Sequence, residues 1–144
     1  MRMLFTFIPI AMLSGCQSTD GALSTTSLAT SVAGPAASTI AGDMTSRLAE
    51  QIGPAGTRSI KMQKDATEYA SALEAAFKGW GYTVITDEKE AKNQKPVEIS
   101  YSLHSFDGQL LAYLATPSIA IGRAYNVTGA GATASSPLSV MQRN

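Results

Sequence analysis

The chain has 144 residues, enough for one small domain, and its 11 lysine and arginine residues balance its 11 aspartate and glutamate residues. This balance, without a basic patch or stripe, argues against direct binding to nucleic acid. With one cysteine and one histidine, the chain cannot form an internal disulfide, and it lacks the several cysteine or histidine ligands of a typical zinc site.

The first 15 residues have the features of an export signal. Arg2 supplies a positive N-terminal end, and an apolar run follows from Leu4 to Leu13. This run is shorter than the roughly 20 residues of a membrane-spanning helix and matches the central region of a signal peptide. The alternative is a buried N-terminal helix or strand with Cys16 in the core, but the Ser/Thr-rich sequence after it could not continue a core element. We therefore predict a lipoprotein signal peptide over residues 1–15.

The apolar run ends in Leu13-Ser14-Gly15-Cys16, which has the pattern of a bacterial lipobox. The expected reaction is cleavage between Gly15 and Cys16, with lipid attached to Cys16. Several acyl chains on this residue would make attachment to a membrane effectively permanent. Gln17, instead of an aspartate at this position, favours the outer membrane, with the domain facing the periplasm. A lipidated Cys16 leaves no thiol for catalysis or metal binding.

Residues 16–34 are predicted to be a lipidated flexible tether. Serine, threonine, alanine and glycine dominate this segment, and Asp20 is its only charge. Leu23, Leu28 and Val32 are too sparse to build a core, although such a segment could also fold onto a partner. A domain is expected over residues 35–128, followed by a low-complexity C-terminal tail over residues 129–144.

Two amphipathic helices are predicted in the first half of the domain. Apolar residues recur at helical spacing over residues 36–52, between Pro35 and Gly53-Pro54, which suit a helix start and a helix end. The second helix is expected to begin with a capping box formed by Asp65 and Glu68. Its large apolar residues fall on one face: Tyr69, Leu73, Phe77 and Trp80. The same register assigns Trp80, the only tryptophan, to the core or its edge.

The second half of the domain changes to the two-residue period of strands. Before it, a short strand is predicted over residues 57–63, and a further strand over 82–86. Alternation from Val97 to His104 indicates a strand with one wet face, Asp107-Gly108 is typical of a hairpin turn, and two more strands follow over 109–116 and 119–127. The twelve-residue spacing of Tyr101, Tyr113 and Tyr125 predicts equivalent aromatic positions on three antiparallel strands.

These elements predict an α+β fold. Two helices pack on one face of a four- to five-stranded, mainly antiparallel sheet. The strand-helix-strand unit over residues 57–86 is expected to be parallel.

The sequence offers little support for catalysis. His104 is the only histidine, and with Ser102 and Asp107 it suggests a triad, but no nucleophile elbow or oxyanion hole accompanies these residues. The glycines of Gly129-Ala130-Gly131 precede no helix and so fail the context of a dinucleotide site. We therefore expect no enzymatic activity, no catalytic residue, no cofactor site and no metal site.

Segments along nearly the whole chain resemble the TrbH family of conjugal transfer lipoproteins. The resemblance rests on the lipobox and on these internal segments: 34–37, 41–44, 46–54, 73–76, 79–82, 105–109, 116–119, 122–125 and 136–141. The resemblance implies a structural part of a conjugative type IV secretion channel, formed for mating-pair formation and plasmid transfer. The implied partners are other channel subunits, with several copies of this chain in a ring. The alternative is an envelope lipoprotein whose wet sheet face and tyrosines bind peptidoglycan or another periplasmic ligand.

Overall fold

The computed structural model describes Val32, residues 34–86 and residues 95–144. The predicted cleavage and lipidation site at Gly15 and Cys16, and most of the predicted tether, lie outside these ranges. The described residues form two helices and seven strands, in this order: α1 (Gly34–Ile52), β1 (Ser59–Met62), α2 (Glu68–Gly79), β2 (Thr83–Ile85), β3 (Val97–Phe106), β4 (Gln109–Ala115), β5 (Ile119–Thr128), β6 (Gly131–Ala134) and β7 (Ser139–Gln142).

The strands form one mixed sheet in the order β2-β1-β3-β4-β5-β6, and β7 also pairs with β5. β1 is parallel to both of its neighbours, β2 and β3, whereas the pairs from β3 to β7 are antiparallel. The prediction of an α+β fold with a parallel β1-α2-β2 unit and a mainly antiparallel sheet is confirmed.

The sheet has more strands than the four to five predicted, because the predicted tail contributes two of them. β6 pairs with the second half of β5, and β7 pairs with its first half. Between them, residues 135–138 bulge opposite Arg123 and Ala124. The Ser135 amide donates to the Ala124 carbonyl over 2.8 Å, and the Ala124 amide donates to Ser136 Oγ over 2.9 Å. Backbone pairing along the edge of β5 therefore orders a segment that has no apolar period of its own.

Helix α1 follows the predicted apolar stripe, with Ile40, Met44 and Leu48 fully buried. It ends where the Gly53 amide donates to the Ala49 carbonyl over 3.0 Å, and Gly53 takes a positive φ of 86° that glycine adopts without strain. The helix begins at Gly34, and Val32 is also buried. Both residues precede residue 35, where the domain was predicted to begin.

Helix α2 begins differently from the predicted capping box. Thr67 is the N-cap residue, and its hydroxyl accepts a hydrogen bond from the Ala70 amide over 3.1 Å. Asp65 supports this cap from outside the helix by accepting from the Thr67 amide over 2.9 Å. Glu68 is the first helical residue and accepts a hydrogen bond from the Gly34 amide, which links the starts of the two helices.

Trp80 lies outside the core, contrary to the prediction from its register. It ends α2, and 51% of its surface is exposed. Gly81 turns the chain with a φ of 93°, and Tyr82 packs edge-on against Phe77, with ring centroids 6.0 Å apart. The expected position of the tryptophan is therefore taken by a tyrosine that follows the helix.

Both helices pack on the same face of the sheet, where one hydrophobic core joins all the layers. The strand side chains in this core include Ile60, Ile99, Leu103, Leu114 and Ile121. We call this side of the sheet, on which the helices pack, the covered face. The opposite face of the sheet carries no helix among the residues that the structure describes.

Candidate interaction site

The face of the sheet opposite the helices has no helix packed on it in the described ranges. We call it the open face. Its central residues are Ser102 and His104 of β3, Leu111 and Tyr113 of β4, Gly122 of β5, and Met141 of β7. The strand register sets them side by side, since Tyr113 pairs with both Ser102 and Gly122.

Apolar side chains are exposed on this face although neighbouring positions are polar. Leu111 is 44% exposed and Met141 is 62% exposed. Leu111 also lines a shallow groove of about 440 Å³, together with Ser102, His104, Tyr113, Arg123 and Ser139 among others. Arg123 is the charged residue of this lining, and its guanidinium is bound by Asp43. The other groups are hydroxyls, an imidazole and apolar side chains, which suit a protein or another uncharged surface better than a strongly ionic ligand.

β7 forms the edge of the sheet next to this groove. In the described part of the chain no strand pairs with its outer side, and Val140 is 45% exposed. An unpaired strand edge presents backbone donors and acceptors that another strand can use. The open face and the β7 edge are therefore contiguous candidates for contact with other molecules.

The residues considered for a triad are only partly brought together. Ser102 and His104 share the open face, as predicted, opposite Tyr113 and Leu111 respectively. Asp107 lies beyond the paired strands, in the β3–β4 turn, with a positive φ of 51°. Within the described ranges, no group of three or more His, Cys, Asp or Glu side chains has an arrangement that could hold a metal ion.

The three tyrosines predicted to be equivalent do not share one face of the sheet. Tyr113 is on the open face, whereas Tyr101 and Tyr125 are on the covered face. The Tyr101 hydroxyl donates to the Gln63 carbonyl over 2.7 Å, and the Tyr125 hydroxyl donates to Asp43 Oδ2 over 2.6 Å. The prediction was wrong because each hairpin pairs odd-numbered with even-numbered residues, such as Tyr101 with Leu114. Odd-numbered residues on neighbouring strands therefore point to opposite sides.

A polar cluster on the covered face holds the C-terminal segment to α1. Asp43 Oδ2 lies 2.9 Å from Arg123 Nη1 and accepts from the Tyr125 hydroxyl, while Arg123 Nε donates to the Ser136 carbonyl over 3.0 Å. Burial, together with the hydrogen bond to the Asp43 carboxylate, raises the pKa of the Tyr125 hydroxyl. The cluster thus connects the helix, β5 and the bulge between β6 and β7.

This cluster was not predicted from the sequence. The contact joins residues 80 positions apart, and no local motif indicates it.

In the described residues, neither helix is both long and apolar enough to cross a membrane.

A family model and a known relative both match the chain over nearly its whole length, and both carry the same family name. The family model for conjugal transfer protein TrbH matches residues 18–144. A probable conjugal transfer protein TrbH of Sinorhizobium fredii (strain NBRC 101917 / NGR234) is 60% identical over 146 residues, and the match covers 99% of each chain. No solved structure matches the chain. The similarity spans both helices, all seven described strands and the open face.

Proposed function

The chain belongs to the TrbH family of conjugal transfer proteins, and from this membership we propose that it is a lipid-anchored structural component of a conjugative type IV secretion channel. Family membership supports a role in conjugation and type IV secretion. The observation that carries the finer proposal is the similarity over the full length of a conjugal transfer protein, in a chain that also contains Leu13-Ser14-Gly15-Cys16.

The proposed anchor is lipid on Cys16 after cleavage behind Gly15. Each buried methylene group contributes about 0.8 kcal/mol, so several acyl chains hold a protein at a membrane where one chain does not. Gln17 directs the protein to the outer membrane, where the domain faces the periplasm. The anchored domain has a structural role and performs no reaction of its own.

The proposed contact surface for other channel subunits is the open face with the β7 edge. Exposed Leu111 and Met141 supply apolar area, and the strand edge supplies backbone hydrogen bonds. Several anchored copies in a ring would bind a channel by avidity, because each further contact is made at a high effective concentration. Weak individual contacts are then sufficient, and direct contact with DNA is not required.

Replacing Cys16 by serine tests the anchor. We expect Cys16→Ser to produce a folded domain that is not lipidated, leaves the outer-membrane fraction and lowers the frequency of plasmid transfer. Ser14→Ala is the matched control, since it keeps a small residue before the cleavage site and leaves lipidation intact. Transfer at the parental frequency by Cys16→Ser, at equal protein levels, contradicts the proposal.

A charge on the open face tests the contact surface. Leu111→Glu is expected to reduce co-purification of channel subunits by about tenfold, the effect of losing roughly 1.4 kcal/mol at an interface. Trp80→Glu is the control, because it places the same charge on an exposed aromatic residue at the end of α2. Retention of the parental protein on peptidoglycan, without co-purified subunits, would favour the cell-wall binding module instead.

A further inference from the structure

One end of the sheet exposes apolar side chains at the tips of two adjacent hairpins. We call it the hairpin end, and it comprises residues 105–109 of the β3–β4 turn and 126–130 of the β5–β6 turn. Phe106 is 76% exposed and Val127 is 52% exposed. Gln109 Nε2 donates to Asn126 Oδ1 over 3.2 Å, which holds the two tips side by side.

The chain enters the domain at this same end. A Cβ atom on Gly131, the first residue of β6, would lie 2.8 Å from Thr39 Oγ1 and 3.6 Å from the Pro35 carbonyl oxygen. The first turns of α1 therefore lie against the β5–β6 hairpin. Val32 is also buried, so the chain already packs on the domain at this position.

The opposite end of the domain carries another exposed aromatic residue. The Tyr82 hydroxyl donates to the Gly53 carbonyl over 2.6 Å, so the end of α2 lies beside the end of α1. Trp80 is two positions before Tyr82 and is 51% exposed. Phe106 and Trp80 thus mark the two ends of the molecule.

A lipid on Cys16 would limit how far the hairpin end can lie from the membrane. Cys16 is 16 positions before Val32, so the segment between them spans at most about 58 Å in any conformation. A contact between the domain and the membrane is then intramolecular in effect, and even a weak contact is populated at the resulting effective concentration. The end nearest the attachment point is the one that reaches the surface first.

We propose that the hairpin end rests on the lipid surface, with Phe106 inserted among the acyl chains and Val127 at the same end on the other face of the sheet. This inference depends on the proposed function, because lipid on Cys16 supplies the attachment. Asp107 is the only charged residue in residues 105–109 and 126–130. The surface that fits is therefore a zwitterionic phospholipid, since an anionic headgroup would repel the Asp107 carboxylate.

The single tryptophan of the chain makes this orientation measurable. In the parental protein, tryptophan fluorescence reports on position 80. In a Phe106→Trp variant made in a Trp80→Phe background, it reports on the hairpin end. Full-length mature protein with its native N-terminus is reconstituted into zwitterionic vesicles of phosphatidylethanolamine and phosphatidylcholine with brominated acyl chains. A side chain inserted about 5–10 Å into the interface should lose roughly half of its emission, whereas Trp80 should lose roughly a tenth or less. Emission from position 106 should also shift to shorter wavelength.

Three outcomes overturn the orientation: equal quenching at both positions, quenching at neither, or protection of position 106 only when channel subunits are added. The intact mass of the same sample shows whether Cys16 carries lipid. A sample without lipid there contradicts the proposed function, and this inference falls with it. A lipidated sample without quenching at position 106 contradicts only the orientation. Val127→Trp in the same background provides a second reporter if the first variant does not fold.

Discussion

Neighbouring residues of the same strand lie on opposite faces of the sheet, and the two faces differ in how deeply their side chains are buried. On β4, Leu110 and Leu114 are buried under the helices, whereas Leu111 is 44% exposed on the open face. The covered face holds the core and the Asp43 cluster, so changes there alter folding. The open face has no helix packed on it in the described chain, so changes at its exposed positions should have little effect on folding.

The strongest test of this difference compares two leucines on one strand. Leu114→Ala should destabilise the domain by about 2–5 kcal/mol, because it leaves a cavity in the core. Leu111→Ala should cost less than about 1 kcal/mol, since its side chain is half in solvent. Urea denaturation of both variants gives the two free energies of unfolding. Similar losses for the two variants would mean that the open face is packed in the folded protein.

The next largest effect is expected from the polar cluster on the covered face. Asp43→Asn removes the charge that Arg123 and Tyr125 bind at 2.9 Å and 2.6 Å, and should lower the free energy of unfolding by about 1–3 kcal/mol. Glu50→Gln is the control, because Glu50 pairs with Arg47 at an exposed site over 3.5 Å and should cost less than about 0.5 kcal/mol. Equal effects of the two changes would mean that the cluster does not hold the C-terminal strands to α1.

Alkaline pH should destabilise the domain through two buried tyrosines, Tyr69 of α2 and Tyr125 of β5. Burial is the main cause that raises the pKa of Tyr69 and of Tyr125 above the usual value of 10.0. The unfolded chain loses these protons above about pH 10, while the folded protein keeps them, so stability is complete below that pH and falls above it. The slope is up to about 1.4 kcal/mol per pH unit for each tyrosine. Denaturant midpoints measured from neutral to alkaline pH should fall less steeply for Tyr69→Phe than for the parent, and an unchanged slope would exclude Tyr69.

The smallest changes in stability are expected when the hydroxyl groups of two tyrosines with different hydrogen bonding are removed. Tyr82→Phe loses the hydrogen bond to the Gly53 carbonyl, 2.6 Å long, and should cost about 0.5–1.5 kcal/mol. The Tyr69 hydroxyl is buried without a hydrogen-bond partner among the described residues, so Tyr69→Phe should be neutral or stabilising at neutral pH. Thermal melts of the two variants make the comparison, and a clear loss for Tyr69→Phe would indicate a partner for that hydroxyl.

Much of the architecture follows from local sequence patterns. The helical spacing of Ile40, Met44 and Leu48, closed by Gly53, predicted α1 to within two residues at its start and at the correct residue at its end. Asp107-Gly108 predicted the β3–β4 turn. These features are predictable because apolar period and turn chemistry act over a few neighbouring residues.

The features that were missed depend on pairing between distant segments. β6 and β7 contain few apolar residues, and they are ordered by hydrogen bonds to β5. The faces of Tyr101, Tyr113 and Tyr125 depend on strand register, which the spacing of one residue type does not determine. Trp80 followed the period of α2 but lies where the helix has already ended.

Lipid attachment is the premise that connects the domain to its proposed place in the channel, and intact-mass spectrometry tests it most directly. Protein extracted from the outer membrane should begin at Cys16 and carry the mass of its acyl groups. An intact Met1, or an unmodified thiol at Cys16 in a cytosolic fraction, would contradict the account.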